Sequence, residues 1–342
     1  MDALIVNAGI VIVALIVFGL LVVFHELGHF AVAKFVGITV HEFAIGMGPR
    51  LFKVRKNETE YSLRILPIGG YVKMEGEDEA SMAAGSFNNK PVLARMAVLI
   101  AGPFMNFVLA ILLFSVIFYA IGFPTTIIDR VTPNFPADKV GIQPGDQIVE
   151  INEQRIKSWD QIVSVINGSR EENIEISLIR EGQERKVRVT PIINEETNQA
   201  VIGITPMAQK SFVRSITTSF DRMIFIMGGM LEFLGNIFGG KASTEDVVGP
   251  VGIIHLVGEA AKTSIFSVLS LAGLISINLG IVNLIPIPAL DGGRLLFLCF
   301  EGISGRPIDP EKEGFIHLIG FVLLMVLMVF IAYKDILRFD LF

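Results

Sequence analysis

Two histidines four residues apart, with a glutamate beside the first, carry the clearest chemistry in this chain: His25-Glu26-Leu27-Gly28-His29. Residues four apart share a face of a helix, so both imidazoles can reach one ion while Glu26 stands next to them. Zinc held by histidine nitrogens, with a carboxylate at hand to take a proton from water, suits hydrolysis. Catalytic zinc takes three protein ligands and keeps a fourth position open for water. A third ligand must therefore come from elsewhere, and His41, His255, His317 and Asp291 are the candidates. Cys299 is the only cysteine, which excludes a cysteine-based zinc site and any intramolecular disulfide.

The elements that position these groups read as membrane helices. The 342 residues are 52% hydrophobic and only 18% charged, against about 25% charged in soluble domains. Mean hydropathy is +0.61. A spanning helix needs roughly 20 apolar residues, and residues 3–24, 96–121, 263–290 and 315–333 qualify with no Asp, Glu, Lys or Arg among them. The first run ends where the His25 motif begins. Charged groups at the bilayer centre cost about 2.5–3.5 kcal/mol each, so a helix without a function would not keep three ionisable side chains there. The shorter run 223–238 carries Glu232 and the pair Gly228-Gly229 and reads as interfacial or re-entrant. The N-terminal run lacks a basic flank and a small-residue cleavage site, and is expected to stay in the mature chain.

Lys and Arg crowd the loop after the first span, from Lys34 to Arg95, which places that loop in the cytoplasm and both termini outside. The net charge of −6 decides nothing further, and no pattern points to nucleic acid. In the loop, residues 38–74 read as short strands and tight turns, broken by Gly46-Met47-Gly48-Pro49, Pro67 and Gly69-Gly70. Residues 75–90 read as a solvated connection.

From residue 127 the composition turns soluble. A turn cluster Gly141–Asp146 precedes a strand at 147–151; Ser158 with Gln161 forms a capping box for a helix to Ile166; strands 174–180 and 184–189 flank Glu181-Gly182-Gln183. The run Val140–Asn152 resembles the core signature of a bacterial PDZ domain, a module that takes extended peptides onto a sheet edge. Ile202, Gly203 and Ile204 resemble its ligand loop.

The third ligand is best sought at Asp291. Pro286 and Pro288 remove backbone donors and stop the third helix, leaving Asp291-Gly292-Gly293 as irregular backbone near membrane depth. Such backbone is tolerated only in protein or along a cavity. An ordinary Asp-Gly turn fits the same spacing, so the residues alone leave the ligand open.

The His25–His29 motif after a first span, together with Asn283-Leu284-Ile285-Pro286-Ile287-Pro288-Ala289-Leu290-Asp291-Gly292-Gly293, resembles the site-2 protease family of intramembrane zinc metalloproteases. The PDZ-like segment, Ala101-Gly102-Pro103 and Asn106 point to the bacterial regulator-of-sigma-E branch. The resemblance covers essentially the whole chain. It implies one Zn2+ per chain on His25, His29 and Asp291, with Glu26 as general base. It further implies that Asn283 holds substrate backbone, and that a membrane-associated β-hairpin bearing Gly46, Gly48, Gly70 and Tyr71 pairs with substrate.

The expected architecture is a multi-pass α-helical membrane protein with four transmembrane helices, the hairpin (38–74) and one inserted extracytoplasmic α+β PDZ domain. Its divisions are a first membrane half (1–122), the PDZ domain (126–208), an interfacial or re-entrant segment (209–262) and a second membrane half (263–342). The expected setting is the bacterial inner membrane. Expected partners are lipid, single-pass substrates such as anti-sigma factors or remnant signal peptides, and peptide ends at the PDZ domain. The competing reading is a non-enzymatic zinc transporter or PDZ scaffold. A structural zinc has no need of Glu26, and a transporter would repeat polar residues in several spans.

Overall fold

The computed structural model describes residues 2–77, 81, 83–195, 197–241, 248–306 and 308–339, and their side chains apart from those of 2–8, 67, 68, 238 and 310. Residues 78–80 and 82 of the expected connection, and 242–247 of the expected interfacial segment, lie outside them. The chain divides into two compact units, Met1–Ile117 with Ile216–Phe342, and Phe118–Ser215.

The first unit begins with α1 (Asp2–Phe35), so the His25 motif lies within a helix that continues for six residues beyond His29. Strands β1 (Val40–Lys56) and β2 (Thr59–Met74) follow as a long hairpin. Gly46, Gly48 and Gly69 have φ of +86°, +84° and +82° and bend the strands without ending them. Phe43, Ala44 and Ile45 consequently lie between two runs of β2: Val72, Tyr71 and Gly70 on one side, Tyr61, Ser62 and Leu63 on the other. The run 70–74 forms an edge that meets no further strand among the described residues. The connection to α2 (Val92–Ile121) is less solvated than its composition suggests. Ser86 and Phe87 are buried, and Phe87 N–H donates to the Glu75 carbonyl.

The second unit holds β3 (Phe123–Val131), α3 (Pro136–Lys139), β4 (Gln147–Ile151), β5 (Gln154–Arg155), α4 (Trp159–Gly168), β6 (Ile174–Arg180) and β7 (Gln183–Val189). It is completed by β8 (Ile192–Asn194), β9 (Gln199–Val201) and β10 (Ile204–Gln209). The main sheet has the order β10-β3-β4-β6-β7 over a core of Ile128, Ile148, Ile162, Ile174, Ile176 and Leu178, a PDZ-type α+β domain. The Ser158 hydroxyl accepts from Gln161 N–H, while the Gln161 side chain caps Lys157 N–H, one residue before the expected target. Gln183 already pairs with Arg180, so the β6–β7 turn is only Glu181-Gly182, both at positive φ as a tight hairpin turn requires.

The chain then returns to the first unit. α5 (Phe212–Phe238) is one continuous helix that runs through Gly228-Gly229 and begins eleven residues before the apolar run 223–238. α6 (Pro250–Thr263), α7 (Ile265–Leu284), α8 (Asp291–Ser304) and α9 (Pro310–Arg338) complete the unit. α7 ends six residues earlier than the expected third span; the non-helical segment is 285–290, and Asp291-Gly292-Gly293 opens α8. Among the described residues, four helical stretches are long and apolar enough to cross a membrane: Gly9–Phe35, Val92–Ile121, Ile265–Leu284 and Glu311–Arg338. α6 joins the N-terminal end of α1 to the C-terminal end of α9. Gly258 packs on Ile10, and buried Asp335 accepts from the amides of Gly249 and Gly252 at 3.2 and 2.8 Å.

Candidate metal centre

Helix α1 presents His25 and His29 one turn apart, with ring centroids 4.8 Å apart and the rings nearly perpendicular. Both rings turn toward α2. There Gly102 makes room: a methyl in its place would overlap both imidazoles. The start of α8 brings Asp291 to the same point. His25 Nε2 is 3.1 Å from His29 Nε2, and Asp291 Oδ2 is 3.2 and 3.5 Å from these two nitrogens.

These three atoms test whether a metal fits. At Zn–N and Zn–O lengths of about 2.0–2.1 Å, two ligands of a tetrahedral zinc lie about 3.3 Å apart, and the three spacings bracket that value. Asp291 Oδ2 is buried and without a hydrogen-bond donor. Among the described residues, this is the one group of three His, Cys, Asp or Glu side chains able to hold a metal.

The second nitrogen of each imidazole sets which tautomer is available. His29 Nδ1 lies 2.8 Å from the Val98 carbonyl, so Nδ1 carries the proton and Nε2 keeps its lone pair for a metal. His25 Nδ1 is 3.2 Å from the amide of Asn106, which is completely buried and whose Oδ1 has no partner. The two ends of an amide are interchangeable in placement. With Oδ1 toward the ring, the orphaned acceptor takes the Nδ1 proton and His25 matches His29. The Asn106 carbonyl also accepts from buried Ser276, which ties α2 to α7 at this level.

The other expected residues fall as follows. Glu26 is half-buried, and its Cγ is 3.2 Å from where a Cβ on Gly70 would stand, so its side chain abuts the hairpin edge. Tyr71 has its backbone on that edge, and its hydroxyl meets Arg64. Gly46 and Gly48 shape the bend of β1. Asn283 is half-buried in the last turn of α7, and its side chain makes no hydrogen bond with the described residues. In the PDZ-type domain Ile202 points into the core, Gly203 (φ +85°) lies against Phe135, and Ile204 begins the edge strand β10. The alternative ligands are elsewhere: His41 pairs with Glu75, His255 stacks on Phe339, and His317 bonds the Ala289 amide. Sequence reasoning did not assign the orienting contacts of Asn106 and Val98. An uncharged polar residue inside the second span was the only signal for the former, and a backbone carbonyl leaves none.

Buried Glu42 organises the hairpin next to the site. It accepts from Ser62 (2.6 Å), Arg64 (2.9 Å) and Arg50 (3.0 Å). Burial alone would raise its pKa, but the hydrogen bonds from Ser62, Tyr71 and Arg64 and the charge of Arg50 outweigh it and hold the carboxyl at about 2.

The model of peptidase family M50 matches residues 13–327. A zinc metalloprotease named RasP from Geobacillus kaustophilus is 33% identical, covering 95% of this chain and 97% of that protein. The regulator of sigma-W protease RasP from Bacillus subtilis is 32% identical, over 96% and 98%. Those alignments run to 408 and 415 residues, so both relatives carry sequence absent here. Among solved structures, the PDZ domain of an SdrC-like protein from Listeria monocytogenes matches 25% of this chain and 88% of that domain, at 20% identity and a TM-score of 0.22.

Proposed function

Because the chain belongs to peptidase family M50, a family of membrane zinc metalloproteases, we propose that His25, His29 and Asp291 hold one zinc ion and that Glu26 serves it as general base in cutting transmembrane segments. The observation that carries this reading is the convergence of three lone-pair atoms at the spacing of tetrahedral ligands, one of them the unpaired Asp291 Oδ2.

Zinc, when bound, supplies Lewis acidity that makes water acidic near neutral pH and polarises a peptide carbonyl. Glu26 takes the proton from the attacking water and returns it to the leaving amine. His29 and His25 keep their Nε2 lone pairs turned inward because Val98 and Asn106 hold the opposite protons. Gly102 lets the rings pack against α2 and leaves no room for bulk solvent behind them.

A helical substrate hides its carbonyls in its own hydrogen bonds, so it must unwind before cleavage. The free edge 70–74 next to Glu26 can take it as an added strand, and the Asn283 amide can hold its backbone. The outer part of the hairpin, from its bend to its tip, exposes Leu51, Phe52, Val54, Ile65 and Leu66 together with Arg55 and Lys56, a composition suited to lying in a membrane interface. The orientation that follows from the basic loop has the hairpin cytoplasmic and the PDZ-type domain and both termini outside. It is supported by α6, which touches the N-terminal end of α1 and the C-terminal end of α9.

The substrates are single-pass membrane proteins. The name of the Bacillus relative favours anti-sigma factors over remnant signal peptides. The edge strand β10 and the loop Ile202–Ile204 would receive a peptide end and restrict entry to substrates already trimmed outside. The test is to incubate the purified enzyme with a tagged single-span protein and map the products by mass spectrometry. Cleavage within the span, abolished by a chelator and restored by zinc, is expected; cleavage only in the flanking soluble parts would sink the reading.

A further inference from the structure

Of the histidines outside the metal centre, His317 is the one whose contacts lead back to it. Its Nδ1 accepts from the Ala289 amide at 2.8 Å, so the ring is neutral with its proton on Nε2, facing Glu313 at 3.8 Å. Ala289 has φ of +80°, a region that residues with a Cβ rarely enter because the side chain crowds the backbone. Asp291 is two residues further on.

α9 also meets this turn closely at Gly320. A methyl on Gly320 would overlap the carbonyl of Pro288. Phe297 of α8 sets its ring edge-on to His317, with centroids 5.5 Å apart. Beside these contacts lies an apolar cavity of about 240 Å³ lined by Ile287, Pro288, Ile316, Ile319, Gly320 and Leu323. Apolar packing therefore leaves the turn room to shift, and Leu290, the residue just before α8, supplies no side-chain cap to hold it.

We propose that His317 is a positioning residue, a latch from α9 that holds the turn 285–290 in its strained form and so keeps the Asp291 carboxylate in register with the two imidazoles. The proposal rests on the reading of Asp291 as a ligand. Without an acceptor for its amide, Ala289 relaxes toward negative φ, and the rotation is carried through Leu290 into Asp291, the first residue of α8. A ligand set tolerates displacements of only about 0.5 Å.

The test uses full-length purified protein, stripped of metal and titrated with zinc against a chromogenic chelator, with the absorption bands of the cobalt form as a second readout. His317→Leu should weaken zinc binding about tenfold and shift the cobalt bands. His317→Asn, whose Oδ1 lies close to the place of Nδ1, should bind nearly as the wild type does. His317→Gln places its oxygen beyond reach of the Ala289 amide and should behave like the leucine variant; it serves the same purpose should leucine prevent folding. Wild-type affinity and an unchanged cobalt spectrum in the Leu or Gln variant, or an Asn variant as weak as Gln, would overturn the latch. Asp291→Ala is measured alongside: zinc retained there refutes the ligand assignment itself, whereas zinc lost there but kept in the His317 variants refutes only the latch.

Discussion

Replacing Asn106 with leucine should weaken zinc binding by roughly one to two orders of magnitude while leaving the metal-free protein as stable as before. Asn106 is completely buried, 3.2 Å from His25 Nδ1. If His25 ligates through Nε2, its Nδ1 must carry a proton, and Asn106 is the acceptor within reach. Leucine has a similar volume but leaves that N–H buried and unpaired, at about 1–3 kcal/mol. At 1.4 kcal/mol per factor of ten, this is about a 5- to 150-fold loss, in line with the roughly 10- to 100-fold seen when groups behind metal ligands are removed. The metal-free protein loses little, because without the ion His25 can carry its proton on Nε2, 3.2 Å from Asp291 Oδ2, and leucine then leaves no N–H unpaired. Asn106→Asp keeps an acceptor and should bind zinc at least as well as the wild type. Chelator competition in detergent gives the affinities, and thermal unfolding with and without zinc checks the stability. Unchanged affinity in the leucine variant would mean that Asn106 does not set the tautomer of His25, and the orienting role would be wrong.

The hairpin should weaken in acid through Glu42. Its folded pKa of about 2 lies below the ordinary 4.5, so its stabilisation, on the order of 3 kcal/mol, is complete above pH 4.5 and disappears as pH falls from there toward 2. Amide exchange at Phe43 to Ile45 should accelerate across that window once intrinsic rates are removed, and Glu42→Gln should flatten the dependence; a wild-type profile without such a change would refute it. Asp335→Ala removes the acceptor for two amides at the start of α6. It should cost about 0.5–2 kcal/mol, visible as a lower melting temperature with zinc affinity unchanged, and an unaltered melting curve would speak against the cap.

The metal centre was legible where side-chain type and local period carry the information. His25 and His29 are helical neighbours by spacing alone, and the prolines before Asp291 announce a break near it. What escaped depends on tertiary contacts. α1 runs on to Phe35 because nothing in Ala31–Phe35 opposes a helix, although its hydrophobic run ends sooner. Gly228-Gly229 reads as a weak point, yet α5 runs through it, since each glycine costs a helix interior only about 1 kcal/mol. Gly46, Gly48 and Gly69 read as strand ends but serve as bends, since only pairing shows that 42–45 is flanked on both sides. The partners of Asn106 and His317 lie 81 and 28 residues away, a separation that no local pattern encodes.

The central claim is that Glu26 is the base of a zinc protease acting on membrane spans. Glu26→Gln removes the proton acceptor and leaves His25, His29 and Asp291 in place, so the variant should hold zinc as the wild type does yet release no fragments from a single-span substrate, as read by mass spectrometry. A zinc-loaded Glu26→Gln protein that cleaves within the span at the wild-type rate would contradict the account.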